Sequence, residues 1–103
     1  MLSITKESFT SEVEECEGLV IIDLYADWCA PCKMLSPILS ELEDELRDVK
    51  FCKINVDEEP ELSSLFKVTS IPMIAAVKDN TFLDLRVGYT EKEELREFIL
   101  EYK

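Results

Sequence analysis

The segment Leu19-Val20-Ile21-Ile22-Asp23-Leu24-Tyr25 limits the fold more than any other stretch of the chain. Apart from Asp23 it is apolar at odd and even positions alike, and it is rich in β-branched side chains. A strand with one face in water would alternate polar and apolar residues. This pattern instead predicts a strand buried on both faces, in the middle of a sheet with helices above and below. The chain supplies helices to cover it. Leu35, Ile38, Leu39, Leu42 and Leu46 fall at offsets 0, 3, 4, 7 and 11, one apolar stripe of a helix opened by Pro31. Pro37 lies inside that helix and predicts a kink.

The other elements fit around this pair. Ser8 or Thr10 is a candidate cap for a first helix, with Phe9, Val13 and Cys16 on one face and Gly18 closing it. Val49–Val56 reads as a second buried strand. Asp57-Glu58-Glu59-Pro60 starts a short helix with Leu62, Leu65 and Phe66 inward. Val68–Pro72 is irregular and Met73–Val77 is a third strand. Lys78-Asp79-Asn80-Thr81 reads as a hairpin turn without the usual glycine. Phe82, Asp84 and Arg86 then alternate with Leu83, Leu85 and Val87, as in a half-exposed strand, and Gly88 breaks it. Thr90 with Glu93 reads as a capping box, and Leu95, Phe98, Ile99 and Tyr102 stripe the last helix. Leu2–Thr5 is a further candidate strand. The expected architecture is α/β, a central sheet sandwiched by helices, in one domain of 103 residues without internal repeats.

Charge narrows the function. The chain carries 23 acidic and 11 basic residues, a net charge of −12. That field repels phosphate backbones and anionic membrane surfaces, so neither nucleic acid nor membrane is an expected partner. No apolar run reaches membrane-spanning length. The first residues lack a basic segment followed by a long apolar one, so a secretory signal is not expected and a reducing compartment, the cytoplasm, is. There the four cysteines are expected to be redox-active, metal-bound or free rather than structural bridges.

Cys29 and Cys32 stand out. They lie three apart at a strand-to-helix turn, a spacing that lets two sulfurs close a small disulfide ring. A helix N-terminus offers unsatisfied N–H groups and partial positive charge, which favour a thiolate, and Lys33 adds charge next door. By position Cys29 is the exposed nucleophile and Cys32, within the first turn, the shielded resolving thiol. The competing reading is half of a zinc site. That needs two further ligands. The chain has no histidine, and Cys16 and Cys52 lack pair spacing, so no metal is expected. Asp23 is the one charge in its strand, six residues before Cys29. Buried there, its carboxyl would have a raised pKa suited to accepting a proton from Cys32. The alternative is an ion pair with a lysine such as Lys53.

The run from Val20 to Lys33, with Asp23, Trp28, Cys29, Ala30, Pro31 and Cys32, closely resembles the active-site region of the thioredoxin family. The likeness extends over essentially the whole chain. Pro37 matches the family's helix-kinking proline, Lys53 the lysine near its buried aspartate, Ile71-Pro72 its cis-proline loop, and Gly88 its glycine-containing loop. The resemblance implies the thioredoxin fold, a central mixed sheet flanked by four helices. It implies protein-disulfide reduction with Cys29 as nucleophile, Cys32 as resolving thiol and Asp23 as proton acceptor. No cofactor beyond the redox disulfide is implied. Trp28, Ala30, Pro31, Ile71, Pro72 and Gly88 would face the substrate. The implied partners are disulfide-containing proteins and a thioredoxin reductase, and the implied state is a monomer. From the sequence alone a trans Ile71–Pro72 bond is the default. Ala30 stands where the family usually has glycine and Met73 where threonine is common, while Cys16 and Cys52 are additional and read as small buried hydrophobes.

Rival functions are an oxidant or isomerase on the same fold, a reductant dedicated to one enzyme system, and a binding or assembly subunit. The two cysteines, Asp23, Trp28 and Pro72 together argue against a decayed site.

Overall fold

The computed structural model describes residues 1–103. Five strands form one sheet: β1 (Leu2–Ser3), β2 (Leu19–Tyr25), β3 (Lys50–Asn55), β4 (Met73–Lys78) and β5 (Thr81–Val87). Four helical segments accompany it: α1 (Thr10–Glu14), α2 (Ala30–Glu45), α3 (Pro60–Leu65) and α4 (Lys92–Tyr102). The spatial order is β1-β3-β2-β4-β5, so β2 is central. β3 runs parallel to both β1 and β2, β4 runs antiparallel to β2, and β5 antiparallel to β4. The sheet is therefore mixed.

The parity of β2 divides the core. Leu19 and Ile21 point to one face, where they pack with Leu35, Leu39 and Leu42 of α2 and Leu95, Phe98 and Ile99 of α4. Val20, Ile22 and Leu24 point to the other, toward Ile4, Val13 and Leu62. Period-2 geometry then places Asp23 on the first face, beneath α2. Cys52 is wholly buried and Cys16 half-buried, both on the second face, where each acts as a small apolar side chain. Burial pushes the Cys52 thiol up to about 11, which keeps it inert. On the first face, Lys92 and Arg96 of α4 reach Glu41 and Glu45 of α2 and tie the two covering helices together.

Four local expectations are corrected. The first helix is shorter than its apolar spacing suggests and has no side-chain cap. Ser8 Oγ accepts the Thr5 N–H and the Thr10 hydroxyl donates to Glu14. Its turn is widened, with the Glu15 N–H donating to Thr10 O at 2.9 Å. Lys50 Nζ takes the Glu12 carbonyl at 2.8 Å, the acceptor that a continuing α-helix would offer to the Cys16 N–H. Gly18 lies beyond, in a turn at φ +85°. Leu65 is 60% exposed rather than inward. The helix ends there, and the Phe66 ring occupies the space between Phe9 and Phe82. The capping box at Thr90 and Glu93 is absent. Glu91 takes the cap position, the Thr90 hydroxyl donates to Gly88 O at 3.5 Å, and Glu93 pairs with Arg96.

The fourth correction concerns β5. Val77 pairs with Phe82 but Ala76 pairs with Asp84, so Leu83 is an extra residue, a bulge. The bulge reverses parity at one point and brings Phe82 onto the same face as Leu85 and Val87. Asp84 and Arg86 stay on the α4 face, where Asp84 accepts from the Tyr102 hydroxyl and Arg86 lies 5.2 Å from the Phe98 ring centroid. The hairpin turn forms without glycine because Asp79 and Asn80 adopt φ of +50° and +63°, which their short polar side chains tolerate.

Asn80→Gly should stabilise the protein by about 0.5–1 kcal/mol, since glycine takes this left-handed position without a Cβ penalty. Chemical denaturation checks it. An unchanged or lower midpoint would show that Asn80 gains more from local hydrogen bonding than glycine gains from freedom.

Candidate active site

β2 ends at Tyr25, the chain turns through Ala26-Asp27-Trp28, and α2 begins at Ala30 with Cys29 as its N-cap. Pro31 is the second helical residue, not the first, and its missing N–H is one the helix could not have used. Cys29 Sγ accepts the Cys32 N–H at 3.2 Å. A sulfur at a cap position thus fills the role usually given to serine or aspartate oxygen. No acidic residue lies in the first turn to oppose the positive end of this 16-residue helix. Sulfur that becomes anionic at Cys29 is stabilised by that field and by the N–H it already faces.

Cys29 and Cys32 are joined as a disulfide, with their Cα atoms 5.3 Å apart. The expected contrast between an exposed Cys29 and a shielded Cys32 is corrected: the two residues are 4% and 3% exposed. Both sit in a small cluster with Ala26, against which Tyr25, Val56 and Ile71 pack. What separates them is position. Cys29 precedes the helix, and its sulfur faces the end of the helix axis. Around them lie exposed residues: Trp28 at 71%, Met34 at 59%, and Ala30 and Pro31 between the cysteines.

The loop before β4 completes this surface. Ile71 touches the cysteine cluster, and the Ile71–Pro72 bond is cis. Pro72 is buried, and its carbonyl accepts the Gly88 N–H at 2.8 Å, which sets Gly88 beside it. Gly88 has φ +91°, with open space where a Cβ would be, so conformation rather than room calls for glycine. Trp28, Ala30, Pro31, Ile71, Pro72 and Gly88 therefore come together at one end of the sheet.

Asp23 lies behind the disulfide. It is 3% exposed, and its Oδ1 has no hydrogen-bond partner. Burial raises its pKa to about 7, against a smaller lowering by the charge of Lys53. Lys53 is its register neighbour on β3. The two form no ion pair; the Lys53 ammonium lies 5.7 Å from the Tyr25 ring centroid. A cavity of about 320 Å³ joins Asp23 and Lys53 to Cys32, Lys33 and Ser36. The acid and the second cysteine thus line one cleft that is open to solvent on its Lys33 and Ser36 side. No set of three or more His, Cys, Asp or Glu side chains gathers anywhere into a metal-holding cluster.

One residue was not singled out from the sequence. The Trp28 indole N–H donates to Asp57 Oδ2 at 2.8 Å. Asp57 lies 29 positions further along the chain, and only the pairing of β2 with β3 brings it close.

The thioredoxin family profile matches residues 1–101. The chain belongs to the thioredoxin family. It is 40% identical to thioredoxin of Bacillus subtilis (strain 168) over 100 residues, which is 96% of this chain and 94% of that protein. It is 44% identical to thioredoxin of Listeria monocytogenes over 94 residues, covering 90% and 91% of the two chains. Thioredoxin of Rickettsia typhi is 43% identical over 98 residues, covering 94% and 93%. As a member of the thioredoxin family with a closed Cys29–Cys32 pair, the protein is a thiol–disulfide oxidoreductase. Its redox group is its own disulfide. The fold is the thioredoxin fold, and no helix is long and apolar enough to cross a membrane.

The buried carboxyl gives a pH signature. The Asp23 pKa is raised on folding from 3.8 to about 7, so the folded state holds the proton more tightly. Protonated Asp23 adds no penalty below about pH 4, and stability falls as pH rises from about 4 to about 7 and levels off above, by about 4 kcal/mol in total. Unfolding curves of the oxidised protein at pH 4 to 8, compared with Asp23→Ala, should show the wild type losing that much relative to the variant. Parallel pH dependences would contradict a raised pKa.

Proposed function

We propose that this chain is a general protein-disulfide reductase, a single domain acting as a monomer in the cytoplasm. Its substrates are disulfide-containing proteins, and a thioredoxin reductase returns it to the dithiol. The observation that carries this reading is the placing of Cys29 Sγ at the N-cap of α2, on the Cys32 N–H, with the Asp23 carboxyl behind Cys32. Such a site favours the Cys29 thiolate, the nucleophile that attacks a substrate disulfide.

The reduced protein begins with Cys29 as thiolate. Cys29 Sγ attacks one sulfur of the substrate disulfide, and the other substrate sulfur leaves as thiolate. A mixed disulfide joins Cys29 to the substrate. Cys32 gives its proton to the Asp23 carboxylate across the shared cavity. Its sulfur then attacks Cys29 Sγ, the substrate's second sulfur leaves, and the Cys29–Cys32 bond closes. The substrate gains two electrons and the protein loses two. A pKa of about 7 suits Asp23 to taking and releasing this proton near neutrality. Lys53 tempers that value through its charge. Trp28, Ala30, Pro31, Ile71, Pro72 and Gly88 form the surface that meets the substrate chain.

Role assignment is tested by trapping. Cys32→Ser should hold substrate proteins as mixed disulfides stable to non-reducing electrophoresis, and Cys29→Ser should hold none. Asp23→Ala with both cysteines intact should slow resolution by about 10²-fold at pH 7, the size of a general-base contribution. Adducts on Cys29→Ser instead would reverse the two roles. Unchanged resolution in Asp23→Ala would remove the carboxyl from the reaction.

A further inference from the structure

Trp28 and Asp57 leave the ends of two neighbouring strands. β2 and β3 run parallel with Tyr25 opposite Asn55, so both chains turn at the same edge of the sheet. Asn55 ends β3 and is 8% exposed. Its side-chain Oδ1 accepts the N–H of Asp57 at 2.9 Å and of Glu58 at 3.2 Å. This is an Asx turn, in which a short side chain organises the backbone just beyond it. The backbone is also tied on both sides: the Val56 N–H donates to Tyr25 O and the Glu59 N–H to Asn55 O, each at 2.9 Å. The end of this turn is the Asp57 carboxylate, which accepts the Trp28 indole N–H at 2.8 Å.

Trp28 is otherwise 71% exposed. A large ring this free would sample several rotamers, and a partner would have to freeze one on docking. Ordering such a side chain costs about 0.5–1.5 kcal/mol at an interface. Exposed tryptophans are also among the side chains that most often dominate binding. Holding this ring in place beforehand therefore favours complex formation without adding a contact.

We propose that Asn55 is a positioning residue for substrate binding: by folding the Asn55–Glu58 turn it sets the Asp57 carboxylate, which fixes the Trp28 indole beside the Cys29–Cys32 pair before a substrate protein arrives. The proposal rests on the reductase reading above, because it concerns how protein disulfides dock at that site. Asn55 touches neither substrate nor sulfur. Its effect passes through Asp57 to Trp28, so it acts on docking and not on the exchange of sulfurs.

Trp28 is the only tryptophan, so fluorescence anisotropy reads this ring alone. In Asn55→Ala the reduced protein should show lower Trp28 anisotropy than the wild type. With insulin as the protein disulfide, its KM should rise about fivefold at unchanged kcat, the scale of one net hydrogen bond. Asn55→Asp, whose carboxylate also accepts both N–H groups, should restore both values. Asp57 is exposed, so Asp57→Ala removes the indole's acceptor without disturbing the buried turn. It should lower anisotropy and raise KM in the same way even if Asn55→Ala fails to fold. Unchanged anisotropy and KM in folded Asn55→Ala or in Asp57→Ala would overturn the proposal, as would failure of Asn55→Asp to restore them. If the wild type did not reduce insulin at all, the reductase reading would fall by itself. The anisotropy of the variants would still decide whether the turn holds the ring.

Discussion

The covering of β2 on both faces is the constraint on which the molecule depends. Its odd side chains are held by α2 and α4 and its even ones by the residues around α1 and α3. Its edges are bonded to β3 and β4. A strand held from four directions delivers the next residues of the chain to a fixed place. Those residues are the Ala26–Cys29 turn and the N-terminus of α2. Position, electrostatics and cavity at the dithiol are consequences of that one burial, consistent with the general siting of ligands at the carboxyl ends of strands in open α/β sheets.

Asp23 shows what the arrangement costs. The parity that turns Leu19 and Ile21 into the core turns Asp23 the same way, and no partner meets its Oδ1. An apolar residue would be more stable there, and a closer lysine would hold the carboxyl ionised. Lys53 instead stands over the Tyr25 ring, near enough to temper the shift and too far to pair. The carboxyl is thereby left with a pKa near neutrality, in the same cleft as Cys32, the thiol that loses a proton in the proposed resolution step. Active sites often retain such locally unfavourable groups because the reaction uses them.

Legibility in the sequence obeys the same logic. Patterns set by one element's own periodicity were legible: the two-faced run at Leu19–Leu24, the stripe from Leu35 to Leu46, and the cysteine pair at a helix start. The likeness of Asp23, Trp28 and Pro72 to a known family supplied the remaining candidate residues. The misses arose where a group on another element claimed a local atom. Lys50 takes the Glu12 carbonyl and shortens α1. Arg96 draws Glu93 away from a capping box. The bulge at Leu83 moves Phe82 to the other face, and nothing in the alternation around it signals an extra residue. The equal burial of Cys29 and Cys32 was also hidden, because position along a helix says little about what the neighbouring loop covers. Asp57 was unreadable for a simpler reason: its partner Trp28 is brought to it only by strand pairing.

The reduction potential of the Cys29–Cys32 pair tests the central claim most directly. Equilibration with graded dithiothreitol buffers, followed by alkylation of free thiols, measures it. The benchmark is thioredoxin itself, about −270 mV, a known value for that protein and not a quantity calculated from this structure. A potential in that region is the expected result for a cytoplasmic reductant. A potential near about −120 mV, that of a strong periplasmic oxidant, would contradict the direction of electron flow, and absence of a Cys29–Cys32 disulfide at any potential would contradict the redox role itself.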